Sequence, residues 1–292
     1  MLSHFEFRLL RKTGALPYLN LAKRIRYGKT IIRIPVVNSL GYSNLYLKPT
    51  WLTPLLDELY KSTGGLIDVG ANVGQTLIAV KSSRCSIQYV GFEPDVQCCF
   101  YIKKLILANK FTSCYVFSVA LTNAIHTAVL EANVGVDPTA SLVKGLRPGF
   151  FSQQESVFAL DYDSLPLNQS IKCIKIDVEG GELETLLGMK QLIGRERPVI
   201  LCEVLDSFSD EVFQFTQGRT DEVCTFLNGL DYAVIQLIQN EATNQILSFV
   251  EVDWIRLRQW TEKSPRYNDY VFCPLEKRAF IVDVLDKLCQ QG

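Results

Sequence analysis

After residue 60, apolar and polar positions follow two alternating patterns along the chain. Some stretches are short and predominantly apolar, and others have apolar positions three and four residues apart. The first kind is typical of buried strands and lies at 66–70, 89–93, 113–121, 171–177 and 198–204. The second kind predicts helices at 74–81, 95–108 and 182–187. This order predicts an α/β fold, with helices on both faces of a mostly parallel sheet.

The last third of the chain departs from this alternation. A helix is predicted at 221–228, with Thr220 as its N-cap. Strands predicted at 232–238 and 270–273 are separated by a polar segment without a clear crossover helix. We therefore expect an antiparallel edge strand on the otherwise parallel sheet.

The chain divides into three parts on this pattern. A basic extension with helical and strand segments is expected to pack on the core at 1–61, followed by the α/β domain at 62–274 and a helical tail at 275–292. Within the domain, residues 133–154 are rich in Gly and Pro and show no periodicity. So long an irregular insertion in a compact domain predicts a functional loop or lid.

Composition limits the class of protein. The chain has 292 residues, of which 48% are hydrophobic and 21% are charged, as in ordinary globular domains. Its apolar stretches are much shorter than the roughly 20 residues of a membrane span, and no secretory signal is recognised, so a cytoplasmic protein is expected. With only two histidines, a multi-histidine zinc site is disfavoured, and no metal site is predicted.

Charge is unevenly distributed. Residues 1–50 contain nine Lys and Arg but only one acidic residue, whereas the whole chain has a net charge of −1. Such a segment can contact anionic lipid, a phosphate-bearing substrate or nucleic acid. Because the aromatic residues of nucleic-acid modules are not interleaved with the basic ones, we favour a solvated surface over peripheral membrane contact, and we expect no nucleic-acid partner.

A small-residue motif follows the first strand of the domain. Between Asp68 and the first helix lie Gly70, Ala71, Asn72 and Gly74. Small residues let a ligand approach the backbone where the free N–H groups of a helix N-terminus favour an anion. The spacing lacks the glycines of a GxGxxG dinucleotide fingerprint, so a site for NAD is disfavoured.

An acidic residue stands at the end of the second strand. Glu93, followed by Pro94, lies at the carboxyl edge of the sheet, where a carboxylate can accept hydrogen bonds from both hydroxyls of a ribose. The alternative is structural: the glycines form a tight turn, and Glu93 caps the next helix.

A second acidic group follows strands four and five. Lys175, Asp177 and Glu179 share one parity along strand four, and Glu203 ends strand five. Carboxylates on neighbouring strand ends can deprotonate a substrate hydroxyl or hold a divalent ion. Alternatively, Lys175 forms a buried salt bridge with Asp177 or Glu203, and Glu179 simply faces the following helix.

At these motifs the chain resembles the FkbM-type family of S-adenosylmethionine-dependent methyltransferases. The resemblance spans roughly 62–274 and rests on these runs: IDVGANVG at 67–74, FEP at 92–94, LD at 160–161, IKIDVEG at 174–180 and NDYVFCP at 268–274.

The resemblance implies a Rossmann-like, seven-stranded methyltransferase fold that binds S-adenosylmethionine. It places the methionine end of the cofactor against the loop from Asp68 to Gly74 and the ribose on Glu93, with Ala120 and Leu121 bordering the adenine. His126 stands near a position where relatives often have glycine.

The resemblance further implies O-methylation of a small metabolite, a sugar of a glycoconjugate or a polyketide-like acceptor. Asp177, Glu179 and Glu203 are then the candidate catalytic residues. N-methylation, or a catalytically idle cofactor-binding partner in a biosynthetic assembly, are the alternatives. The segments expected to contact the acceptor are 1–60, 133–154 and 239–269, which have the least pattern.

Overall fold

The computed structural model describes residues 3–47, 50–167, 169–240 and 243–290. Within these residues the strands are β1 (Leu21–Tyr27), β2 (Thr30–Val36), β3 (Gly64–Val69), β4 (Ile87–Phe92), β5 (Cys114–Phe117), β6 (Ala120–Leu121), β7 (His126–Ala132), β8 (Gln153–Leu160), β9 (Ile171–Ile176), β10 (Val199–Glu203), β11 (Tyr232–Gln239), β12 (Ile246–Val252) and β13 (Asp269–Pro274). The α-helices of the same residues are α1 (His4–Lys12), α2 (Leu52–Leu59), α3 (Gln75–Ser82), α4 (Val96–Asn109), α5 (Glu182–Leu187), α6 (Lys190–Glu196), α7 (Asp210–Asn228) and α8 (Arg278–Cys289).

Within the described residues, the central sheet has eight strands in the order β12-β11-β13-β10-β9-β3-β4-β5. The five strands from β10 to β5 are parallel to one another, as the sequence predicts. β13 runs antiparallel to both of its neighbours, β10 and β11. The predicted α/β fold with a mostly parallel sheet is confirmed, but the predicted count of seven strands is wrong because β12 adds an eighth.

The antiparallel strands are arranged differently from the prediction. An antiparallel strand does form one edge, but it is β12, within the polar segment for which no strand was predicted, and it pairs with β11. The predicted strand at 270–273 is not at the edge, because β13 lies between β10 and β11. Sequence order alone does not determine where a late strand enters a sheet.

Two predicted elements have wrong bounds. The single strand expected at 113–121 is divided into β5, in the central sheet, and β6, which pairs with β8 in a separate sheet of three strands. The helix expected to begin after Thr220 begins at Asp210, with Ser209 at the N-cap position. Thr220 is buried inside α7, where its hydroxyl donates to the carbonyl of Thr216 at 3.1 Å.

Helices cover both faces of the central sheet. α2, α3, α4 and α8 pack on one face, where the core continues into Phe7 of α1 and Ile32 and Ile34 of β2. α5, α6 and α7 pack on the other. Residues of the N-terminal segment therefore share a hydrophobic core with the sheet. Among the helices that the structure describes, none combines the length and the apolar character needed to cross a bilayer.

Candidate functional site

The loop between β3 and α3 is held in a left-handed turn. Gly70 has φ of +82°, and a Cβ atom added there would lie 1.8 Å from the carbonyl oxygen of Asp177. Only glycine fits this close approach of β3 to the end of β9. The N–H groups of Gly70 and Ala71 both donate to the carbonyl of Phe92, at 2.9 and 3.1 Å. The loop is thus fixed to the ends of both neighbouring strands.

Glu93 joins this loop to the start of α4. Its Oε2 accepts a hydrogen bond from the N–H of Asn72 at 2.7 Å, and its Oε1 accepts one from the N–H of Asp95 at 2.8 Å. Asp95 caps α4, because its side chain accepts from the N–H groups of Gln97 and Cys98. Asp95, and not Glu93, is therefore the N-cap of α4, so the structural alternative given for Glu93 is wrong.

The environment of Glu93 changes its acidity. Its side chain is buried, and burial raises the pKa of the carboxyl group to about 7, although the hydrogen bonds from Asp95 and Asn72 favour the charged form. Each carboxylate oxygen can accept more than one hydrogen bond, so Glu93 retains acceptor capacity toward a ligand.

A cleft of ≈ 700 Å³ opens at the carboxyl ends of β3, β4 and β9. Of the site residues predicted from the sequence, the cleft is lined by Gly70, Ala71, Asn72, Glu93, Pro94, Ala120, Leu121, Asp177, Glu179 and Glu203. The fold therefore brings together residues that are up to 133 positions apart, namely Gly70 and Glu203.

Asp68 and Gly74 do not line the cleft. Asp68 is fully buried beneath the loop and accepts a hydrogen bond from the hydroxyl of Tyr89 at 2.5 Å. Burial raises the pKa of Asp68 to about 6. Gly74 has φ of +77° and stands at the N-cap position of α3. Asp68 therefore supports the loop from below, and Gly74 forms its end, where α3 begins.

Asp177 and Glu203 lie at the carboxyl ends of the neighbouring parallel strands β9 and β10. The Nζ atom of Lys175 is 3.5 Å from Oδ2 of Asp177, so the predicted lysine–aspartate pair is present. The pKa of Glu203 lies well above its ordinary value because of the negative charge of Asp177 and because of burial. Burial disfavours the charged form of Lys175, but the carboxylates of Asp177, Asp269 and Glu203 outweigh it and raise the lysine pKa.

A second cavity of ≈ 430 Å³ lies between these strand ends, α2 and α3. Asp177 and Glu203 line both cavities, and Lys175 and Asp269 line the second one. In the described parts of the chain, no group of three or more His, Cys, Asp and Glu side chains is arranged to hold a metal ion.

Glu179 connects the cleft to the insertion between β7 and β8. It has φ of +53°, and its Oε2 atom is 2.5 Å from Nη2 of Arg147. The guanidinium of Arg147 also lies over the ring of Phe208, 4.0 Å from its centroid. The hydroxyl of Ser141 donates to the carbonyl of Glu179 at 2.7 Å. These contacts dock the insertion against the start of α5, and residues of the insertion, including Asp137 and Val143, line the cleft.

Some residues of the cleft were missed by the sequence analysis. Arg219 and Glu184 line it and form an ion pair of 2.5 Å. The sequence signal that could have found Arg219 is the start of α7, where Ser209 at the N-cap position precedes the acidic residues Asp210 and Glu211. Gly218 in the helix interior obscured this signal. Phe150 and Phe151, which belong to the segment 133–154 expected to contact the acceptor, are not among the residues lining the cleft.

This architecture corresponds to a known family. A family model described as the methyltransferase FkbM domain matches residues 68–234. The chain belongs to the FkbM methyltransferase family. The match spans more than half of the chain and confirms the S-adenosylmethionine-dependent methyltransferase family predicted from the motifs.

Several solved structures resemble this FkbM-family chain. One is an FkbM methyltransferase from Methylobacillus flagellatus KT, with 12% identity over 78% of this chain and 49% of that chain, and a TM-score of 0.46. The present chain therefore corresponds to about half the length of that protein. A putative methyltransferase from Streptococcus mutans in complex with SAH has 8% identity over 76% of this chain and 94% of that chain, with a TM-score of 0.44.

TYW2 from M. jannaschii in complex with AdoMet has 10% identity over 88% of each chain, with a TM-score of 0.38. No curated protein sequence matches the chain.

Proposed function

We propose that this FkbM-family chain transfers the methyl group of S-adenosylmethionine to a hydroxyl of an acceptor such as a small metabolite, a sugar of a glycoconjugate or a polyketide-like molecule. The observation that carries the proposal is the position of Asp177 and Glu203, two carboxylates that adjoin the cleft containing the glycine loop and Glu93.

The residues of the cleft fit the parts of the cofactor. In this proposal, Glu93 accepts hydrogen bonds from the ribose hydroxyls, and Gly70, Ala71 and Asn72 of the loop face the methionine end. Ala120 and Leu121, whose backbones are held by pairing with β8, border the adenine. When bound, the cofactor supplies a methyl group on a positively charged sulfur.

The acidic pair acts on the acceptor. An alcohol is a weak nucleophile while it keeps its proton. Asp177 accepts a hydrogen bond from the acceptor hydroxyl and takes its proton as the oxygen–carbon bond forms and the carbon–sulfur bond breaks. S-adenosylhomocysteine is the leaving group, and the proton then passes from Asp177 to water. Lys175 offsets part of the negative charge of Asp177 and Glu203 and keeps both carboxylates at this edge of the sheet. Most of the rate enhancement comes from holding the two substrates in line.

Replacement of Asp177 tests this assignment. The protein is incubated with S-adenosylmethionine and pooled hydroxylated metabolites, and methylated products are measured by mass spectrometry. Asp177→Asn is expected to reduce turnover by about 10²–10⁴-fold, because it removes the base and keeps the size of the side chain. The dissociation constant for S-adenosylhomocysteine is expected to change little.

Stability measurements separate catalysis from scaffolding. Lys175 retains Glu203 and Asp269 as neighbouring carboxylates in this variant, so no loss of about 3–5 kcal/mol from an unpaired buried charge is expected. Asp283→Asn, at an exposed pair with Lys287, is the matched control. A large fall in melting temperature with a proportionate loss of activity, or wild-type turnover by Asp177→Asn, contradicts the assignment.

A further inference from the structure

A basic and partly apolar surface lies on the side of the molecule formed by β1, β2 and α4. We call it the basic face and define it by the exposed residues Arg24, Arg26, Ile31, Arg33, Phe100, Lys103, Lys104, Leu107 and Lys110. On the hairpin, Arg24 is paired with Arg33 and Arg26 with Ile31, so these four side chains share the outer side of β1 and β2. On α4, spacings of three and four residues place the exposed positions from 100 to 107 on one side of the helix.

The hairpin and α4 form one continuous surface. The side chain of Asn109 accepts a hydrogen bond from the N–H of Arg33 at 2.7 Å and donates one to its carbonyl at 2.8 Å. The hydroxyl of Tyr101 donates to the carbonyl of Pro35 at 3.0 Å. These bonds use backbone groups of β2 on the edge that is not paired with β1. α4 therefore lies beside the hairpin along this edge.

Acidic residues are absent from both elements. Neither residues 21–36 nor residues 96–110 contain Asp or Glu, while the whole chain has a net charge of −1. The six cations of the basic face therefore produce a local positive potential that the same elements do not neutralise. Sequence alone indicates a basic segment at the N-terminus, but only the fold adds the lysines of α4 to it.

Large apolar side chains project from among these cations. Ile31 is 54% exposed, Leu107 71% and Phe100 44%. Aliphatic side chains such as Ile31 and Leu107 do not stack on nucleic-acid bases, whereas they gain free energy when they enter the boundary between lipid headgroups and acyl chains. A combination of cations with apolar side chains supplies the two signals that peripheral membrane binding requires.

We propose that the basic face docks this protein on an anionic lipid bilayer, with Ile31, Phe100 and Leu107 inserted at the headgroup level and the arginines and lysines on the lipid phosphates. The partner is the bilayer surface itself. This inference does not depend on the proposed methyl transfer.

Vesicle sedimentation with the full chain tests the proposal. Vesicles of phosphatidylcholine alone are compared with vesicles in which about a third of the lipid is phosphatidylserine. We expect binding to the anionic vesicles only, and release at about 1 M salt, where the Debye length is about 3 Å. The variant R24E/R26E/K103E is expected to lower the partition coefficient at least about tenfold.

Two further variants test whether a change in vesicle binding comes from the charges of the basic face or from its apolar side chains. K190E/R256E/K263E makes the same charge change at exposed positions outside the basic face and is expected to bind like wild type. I31S/L107S keeps all charges and is expected to weaken vesicle binding several-fold, with an unchanged melting temperature because both side chains are exposed.

Other results overturn the proposal. Equal binding of the protein to both kinds of vesicle, or no binding to either, contradicts membrane docking. An equal loss of vesicle binding in both charge-reversal variants contradicts the assignment to the basic face. Binding of RNA that is tighter than binding of anionic vesicles, and that I31S/L107S does not alter, indicates a nucleic-acid partner instead.

Discussion

Glu93 fixes the loop after β3 and is also the residue proposed to hold the ribose. Its two oxygens already accept the N–H groups of Asn72 and Asp95, so the carboxylate is oriented before a ligand arrives. The cost is a buried charge, and the pKa of Glu93 is raised to about 7. This acidity allows a test of the ribose assignment by pH.

Cofactor affinity should depend on the ionisation of Glu93. A ribose hydroxyl donates its proton in this hydrogen bond, so binding favours the ionised carboxylate and strengthens as pH rises through about 7. We expect the dissociation constant of S-adenosylhomocysteine, measured by calorimetry, to fall about tenfold between about pH 6 and pH 8.

Replacement of Glu93 provides the control for this pH dependence. Glu93→Gln should bind more weakly at pH 8, by roughly 1.5–3 kcal/mol, and should lose the step near pH 7. If both proteins show the same pH profile, another group is responsible and the ribose lies elsewhere.

At the scale of elements, a buried ion pair is one of the contacts that hold the insertion between β7 and β8. The side chains of Arg147 and Glu179 are 7% and 15% exposed, and Arg147 also contacts aromatic rings. Glu179 was predicted to be catalytic, and we propose instead that it positions the insertion over the cleft.

Arg147→Met should release the insertion. Leaving Glu179 without its partner in a buried site typically costs roughly 3–5 kcal/mol. We expect faster proteolysis and hydrogen exchange within residues 133–152, together with weaker binding of S-adenosylhomocysteine. Arg195→Met, at the exposed pair with Glu196, should change neither measurement.

The double variant R147M/E179L separates positioning from catalysis. An apolar pair replaces the ion pair, so much of the lost stability and turnover should return relative to R147M. Recovered stability without recovered turnover would instead support a catalytic carboxylate at position 179.

At the scale of the whole molecule, the elements predicted correctly are those that have a local pattern of apolar residues. β3, β4, β9 and β10 were predicted to within one or two residues because buried parallel strands are apolar on both faces. The glycine loop and Glu93 were found because strand ends of such a sheet meet at one edge, and the cleft contains them.

The remaining features depend on distant contacts or on mixed local signals. β5 and β6 belong to different sheets although the sequence pattern predicts one strand across both, and the start of α7 was hidden by Gly218 and two buried threonines. The pair of Arg147 and Glu179 joins residues 32 positions apart, with no local pattern to indicate it. Likewise, the position of β13 between β10 and β11 depends on pairing between strands that are distant in sequence, so no local pattern predicts it.

The central position of β13 also affects how the protein folds during synthesis. Because β13 separates β10 from β11, the sheet cannot be completed until residue 274 has left the ribosome, long after β10 has emerged. Until then, one edge of the buried strand β10 has no native partner on a nascent chain. Between the synthesis of residue 203 and that of residue 274, the nascent protein therefore carries an open edge on a buried strand, the kind of surface that chaperones protect from aggregation.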